Sequence, residues 1–171
     1  MTTTWTVAQC HPDQPDAVTL LEEYYEEMVR RYHRRPVRPG EVEAAMADDP
    51  SDDLAPPTGF FLIAHRDGQL AGCAGLRHRP EWAELTRVYL RPAHRGRGGG
   101  AVLLTTVEQR ARANGIHRIR LDTRSDLVEA RALYARHGYR EIPAYNGGVY
   151  AEHWFEKLLP SDLTTPPVRA K

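Results

Sequence analysis

The 171-residue sequence predicts an α/β (α+β-like) fold, a mixed central sheet of about seven strands flanked by about four helices. Short apolar segments with strand-like alternation occur near both ends and in the middle of the chain. Longer segments with apolar residues at helical spacing interrupt them. A glycine-arginine stretch, residues 93–104 (AHRGRGGGAVLL), joins a strand pattern to a helix pattern. The length suits one domain, set at residues 1–160, with a Pro-rich C-terminal tail at 161–171.

Residues 3–10 (TTWTVAQC) alternate Trp5 and Val7 with polar neighbours, as a half-buried strand does. Turn and cap signals follow at Pro12, Asp13, Pro15 and Asp16. Over residues 17–31, Leu21, Tyr24, Tyr25 and Met28 recur on one side and Glu22, Glu23, Glu26 and Glu27 on the other, which is an amphipathic helix. Residues 34–58 hold five prolines and an acidic cluster, and read as a long loop over the site with one short helix at 41–47. Residues 60–65 (FFLIAH), 70–76 (LAGCAGL) and 83–90 (AELTRVYL) are expected as consecutive antiparallel strands, with a turn at Asp67-Gly68 and another near Pro80. A helix at 100–113 buries Leu103, Leu104, Val107 and Ala111 and stops at Asn114-Gly115. Residues 117–122 (HRIRLD) must then run parallel to 83–90, because a helix crosses between them. A further helix at 127–137, closed by Gly138, and strands at 139–143 and 153–159 complete the order.

Composition narrows the function classes. Net charge is zero, which removes bulk attraction to nucleic acid. No apolar run is long enough to span a bilayer and no secretory leader pattern opens the sequence, so a cytoplasmic protein without a membrane partner is expected. Cys10 and Cys73 lack CxxC spacing and the eight histidines lack metal-ligand spacing, so no metal is expected. Charge is nevertheless segregated. Residues 77–97 carry six arginines against two glutamates, whereas residues 41–53 carry six acids and no base. The first suits an anionic cofactor, and the second hints at a cationic amine substrate.

The glycine-arginine stretch places Gly98, Gly99 and Gly100 at the opening of a helix, where each glycine costs roughly 1 kcal/mol against alanine. Such glycines allow close approach of a ligand, and the free N–H groups of a helix N-terminus favour phosphate. No lysine follows them, which excludes the P-loop. A dinucleotide fingerprint matches at Gly96, Gly98 and Ala101, with Asp122 where a ribose-binding acid would stand, but hairpin-linked strands before the loop do not build that fold. A nicotinamide-dependent enzyme is therefore the weaker alternative. Gly99 itself has no physical reason in the sequence.

The pattern Arg95-x-x-Gly98-x-Gly100, preceded by Val88-Tyr89-Leu90-x-Pro92, resembles the acetyl-CoA loop of the GNAT N-acetyltransferase superfamily, and Ala130-x-x-Leu133-Tyr134-x-x-x-Gly138-Tyr139 resembles a second segment of it. Gly99 departs from the apolar residue usual there, and Leu127 from a common asparagine. The resemblance implies the GNAT fold, acetyl-CoA as cofactor, and an acyltransferase acting on a small-molecule or peptide amine. It implies cofactor binding by Val88, Tyr89, Leu90, Arg95, Gly96, Arg97, Gly98, Gly99 and Gly100. The pantetheine arm would lie where strand 83–90 parts from strand 117–122. A non-catalytic acyl-CoA-binding module is the alternative, and a homodimer is left open.

An alkylammonium with a pKa of about 10.4 must lose a proton before it can attack a thioester. Glu84, in a stretch similar to the family's E-x-x-R-[LV]-Y-[VL], is the candidate base, with Glu81 in reserve; Tyr134 is the candidate acid for the leaving thiolate. On a regular strand Glu84, Val88 and Leu90 would share a face with Glu84 about 13 Å from Val88, so a bulge or a water relay would be needed to bring Glu84 to bear. No serine or cysteine has a nucleophile setting in the sequence, so direct transfer without an acyl-enzyme is expected.

Overall fold

The computed structural model describes residues 2–160; the tail assigned to 161–171 lies outside them. The strands are β1 (Trp5–Gln9), β2 (Gly59–Arg66), β3 (Gln69–His78), β4 (Ala83–Leu90), β5 (Arg118–Thr123), β6 (Arg140–Ile142) and β7 (His153–Leu158), and the helices are α1 (Pro15–His33), α2 (Glu41–Asp48), α3 (Gly99–Ala113) and α4 (Val128–Arg136). They form one seven-stranded sheet in the order β1-β2-β3-β4-β5-β7-β6. Among the described residues only β4 and β5 pair in parallel, and the other pairings are antiparallel. No described helix is long and apolar enough to cross a membrane.

Two apolar layers enclose the sheet. Leu62, Ala74, Leu76, Leu85, Ile119, Leu121 and Phe155 pack against Leu103, Leu104 and Val107 of α3 and Tyr134 of α4. On the opposite face Phe61, Ile63, Cys73 and Tyr89 pack against Ala17, Leu20 and Leu21 of α1. The loop after α2 is anchored in that second layer by Leu54, which is fully buried against Gly75; a Cβ on Gly75 would stand 2.9 Å from Leu54 Cδ1. The segment expected as a long loop over the site thus carries its short helix, α2, followed by a strap with a core anchor.

The β2–β3 hairpin turns through Asp67 and Gly68, with φ of 50° and 81°, the left-handed pair that matches strand twist. A second irregularity bears on the site. Cys73 pairs with Tyr89 and Gly75 with Thr86, so Arg87 and Val88 together oppose Ala74. This is a β-bulge, and Arg87 takes φ 54° to make it. Its consequence corrects the regular-strand expectation. Leu85 before the bulge and Val88 and Leu90 after it all pack on the α3 side, while Glu84 faces the other side with Arg77.

Candidate active site

The β4–β5 ladder ends at the pairs Ala83–Ile119 and Glu84–Arg120, although both strands continue past it. Beyond Glu84 they splay. The glycine loop lies at the far end of β4, so the splay opens between Glu84 and the first turn of α3.

Gly96 and Gly98 take φ of 71° and 85°, which an L side chain rarely adopts. The first helical bond of α3 runs from Val102 N–H to the Gly98 carbonyl, leaving the N–H groups of Gly99, Gly100 and Ala101 without an intrahelical partner. Gly99 gains its physical reason from β1. A Cβ there would stand 2.4 Å from Trp5 Cη2, and Trp5 Nε1 donates to the Arg97 carbonyl at 3.0 Å. The indole occupies the space a side chain would need and pins the loop from one side. Gly100 similarly admits Leu133, whose Cδ2 would be 2.6 Å from a Cβ. Gly99→Ala is therefore expected to destabilise by about 1–3 kcal/mol through overpacking. The same change in a Trp5→Ala background should cost much less, and thermal melting of the two pairs measures the difference.

Arg95 does not stand free for an anion. Its Nε donates to the Leu90 carbonyl at 2.8 Å, its Nη2 donates to Glu27 at 3.1 Å, and the guanidinium lies over the Tyr89 ring. Neighbouring Arg91 forms a two-pronged pair with Glu23, which also accepts from the Tyr89 hydroxyl at 3.2 Å. Glutamates of α1 thus clasp the loop from the other side. Arg97 is exposed and has no ion-pair partner among the described residues, so it is the loop's available positive charge. Tyr89 turns its side chain to α1, which leaves its backbone, with that of Val88 and Leu90, as its contribution to the splay.

Glu84 is 9% exposed and accepts from Arg77 Nη1 at 2.9 Å. Arg77 also donates to Asp53 at 2.6 Å and lies 3.6 Å from Asp49. Burial holds the Glu84 carboxyl above the usual carboxylate range; Arg77 opposes the shift and Asp122 adds to it. Asp122, at the end of β5, is likewise raised by burial, against a bond from Asn146 Nδ2 at 2.9 Å. Trp154 Nε1 in turn donates to Asn146 Oδ1 at 2.9 Å. Tyr145 stands over Arg120, the register partner of Glu84, and its buried hydroxyl has no hydrogen-bond partner among the described residues. Glu81 sits elsewhere, in an open depression of about 380 Å³ with His117, Arg118, Leu158 and Leu159, at the end of β4 remote from the glycine loop.

Tyr134 is 5% exposed in α4 and packs edge-on to Tyr139 and tilted to Phe155. Burial pushes its phenol up, with Asp122 adding to the shift. Tyr24 of α1 also lies within electrostatic reach of both Asp122 and Tyr134. The N-cap of α4 is Leu127, which provides no side-chain cap. Half of the acidic run is compensated by arginines. Glu41 pairs with Arg35 at 2.6 Å, Asp49 with Arg87 at 3.2 Å and Asp53 with Arg77 at 2.6 Å. Asp122, Asn146, Tyr145 and Trp5 are the site residues that sequence reading missed or assigned elsewhere. Asp122 had a visible signal, a carboxylate out of phase with Ile119 and Leu121.

Residues 17–139 match the model of the acetyltransferase (GNAT) family. The chain belongs to that family. The IAA acetyltransferase of Azospirillum brasilense is 31% identical over 140 residues, spanning 80% of this chain and 84% of the relative. A solved GNAT-family acetyltransferase from Staphylococcus aureus MU50 superposes with a TM-score of 0.73 at 16% identity, over 92% of this chain and 100% of the other. The PaiA N-acetyltransferase of Thermoplasma acidophilum, solved with coenzyme A, superposes with a TM-score of 0.68 at 20% identity, over 91% and 99%. At these identities the structures establish the shared fold.

GNAT membership brings acetyl-CoA as the cofactor, and the residues present fit it. Gly96 and Gly98 leave the loop without side chains at its left-handed positions, three N–H groups at the start of α3 have no intrahelical partner, and Arg97 has no ion-pair partner among the described residues. The splay beyond Glu84 and Arg120 leaves strand edges to which an extended amide-bearing arm can bond.

Proposed function

We propose that this GNAT-family protein is an acetyl-CoA-dependent N-acetyltransferase that transfers an acetyl group to a primary amine of a small molecule or peptide by direct attack. The observation that carries this reading is the placement of a buried carboxylate, Glu84, at the point where β4 and β5 part, on the strand that ends in the glycine loop. Acetyl-CoA, when bound, supplies a thioester carbonyl as the electrophile. Gly96 to Gly100, with Arg97, hold a pyrophosphate through backbone N–H groups and one charge; Arg95 acts indirectly, by fixing the loop to Leu90 and Glu27. Backbone N–H groups of the bulged segment, Val88 to Leu90, polarise the carbonyl.

Glu84 takes the proton that the ammonium must lose. Burial raises its pKa and so brings it nearer the amine in basicity, while Arg77 opposes that shift and favours the carboxylate. Asp122, held by Asn146, provides a second carboxylate to receive the ammonium. Tyr134 donates its phenolic proton to the sulfur as the C–S bond breaks; no hydrogen bond among the described residues engages its hydroxyl. Neutralisation of Glu41, Asp49 and Asp53 by arginines shifts acceptor recognition from the acidic run to these two carboxylates and the surrounding tyrosines.

The test is release of free thiol from acetyl-CoA against a panel of primary amines. Amine-dependent release is expected, and its absence across the panel would leave a non-catalytic acyl-CoA-binding module. Tyr134→Phe should lower kcat by about 10²-fold with the KM for acetyl-CoA near wild type. An unchanged kcat would return Tyr134 to a packing role.

A further inference from the structure

A second set of chemically competent side chains lies outside this site. Ser125, in the turn between β5 and α4, has its Oγ 3.0 Å from His153 Nε2. His153 Nδ1 lies 2.5 Å from Glu141 Oε1. A carboxylate can only accept, so Nδ1 carries the proton in this arrangement and Nε2 of a neutral imidazole is left to accept from the serine hydroxyl. Serine, base and orienting carboxylate are in the order that activates a hydroxyl nucleophile.

The serine is held rather than loose. Its N–H donates to Glu152 Oε1 at 3.0 Å, its carbonyl accepts from Arg131 Nη1 at 3.2 Å, and Arg124 and Asp126 pair across it at 3.0 Å. The side chain itself is exposed. His153 sits two residues before Phe155, and Glu141 is the register partner of Phe155, so both face the α4 side of the sheet. Glu84 faces the α1 side. The first helical bond of α4 runs from Arg131 N–H to the Leu127 carbonyl, so the N–H groups of residues 128–130, just beyond Ser125, have no intrahelical partner and can stabilise an oxyanion.

We propose that Ser125, His153 and Glu141 form a nucleophilic triad that hydrolyses short-chain carboxylic esters through an O-acyl-serine. Ser125 Oγ attacks the ester carbonyl while His153 Nε2 takes its proton. The C–O bond to the alcohol breaks and His153 returns that proton to the departing alkoxide. Water then attacks the acyl-serine, giving a proton to His153, and the carboxylic acid leaves as Ser125 recovers its hydrogen. Polar neighbours around an exposed serine suit a small acyl group rather than a long chain. This activity does not depend on amine acetylation, and the two are separable by variant.

The experiment incubates the full chain with a fluorophosphonate probe and, separately, with p-nitrophenyl acetate. Phosphonylation is expected on Ser125 by peptide mass spectrometry. Ser125→Ala should abolish the label and lower ester hydrolysis by about 10²-fold or more, while amine-dependent thiol release from acetyl-CoA stays at the wild-type level. His153→Gln should lose labelling as well, with the melting temperature confirming that the variant is folded. A label on another residue, no label, or ester hydrolysis unchanged in Ser125→Ala overturns the proposal, whatever the outcome of the thiol-release assay.

Discussion

Replacing Glu84 with glutamine is expected to lower kcat for acetyl transfer by about 10²–10⁴-fold near neutral pH, the range for loss of a positioned general base, and to leave the KM for acetyl-CoA near wild type. The loss should be greatest at lower pH, where almost all of the amine is protonated, and should shrink as the pH approaches the pKa of the amine. The wild-type profile carries its own sign. Glu84 works ionised and its carboxyl is raised by burial, with Asp122 adding to the shift against Arg77. Turnover therefore falls with decreasing pH at a higher pH than an exposed carboxylate would give. A raised acid also costs stability as pH rises from the ordinary carboxylate range through the folded value, and glutamine removes that cost. Because Arg77 keeps Asp53 at 2.6 Å and Asp49 at 3.6 Å, the variant should melt within a few degrees of wild type. Steady-state kinetics from pH 6 to 10 check the expectation; a wild-type rate in the variant would move the base to Asp122.

The elements and their order were legible because periodicity is a local property. Leu103, Leu104 and Val107 mark the buried face of α3, and the alternation around Ile119 and Leu121 marks β5. What the sequence hid is register and pairing at a distance. The bulge at Arg87 reversed which face Val88 and Leu90 occupy, since one extra residue flips every later side chain of a strand. Gly99 looked like an unexplained departure because its partner, Trp5, lies at the other end of the chain on β1. The acidic run looked like an open lip because Arg77 and Arg87, which neutralise Asp53 and Asp49, reach it only through the fold. The serine at 125 lacked a visible setting for the same reason. Its base and carboxylate come from β7 and β6, whose antiparallel register sets them diagonally across one face of the sheet.

Replacing Arg77 with leucine should have the largest effect on stability. Arg77 is 7% exposed and is the cation shared by Glu84, Asp53 and Asp49. Removing one member of a buried pair costs about 3–5 kcal/mol because the other charge stays buried without compensation. The half-exposed aspartates are screened by water and contribute little to that figure; the cost falls on Glu84. For a chain of this size the melting temperature should drop by about 6–20 °C. The drop has a pH signature. Without Arg77 the Glu84 carboxyl rises further, so the folded state holds its proton to higher pH than the unfolded chain does, and stability is lost as pH increases. The gap between wild type and variant should therefore widen from acidic to alkaline pH. It should largely close in the double variant Arg77→Leu/Glu84→Gln, where no buried charge remains to be paired. A gap that ignores pH and persists in the double variant would mean that Arg77 stabilises the strap at Asp53 rather than the charge on Glu84.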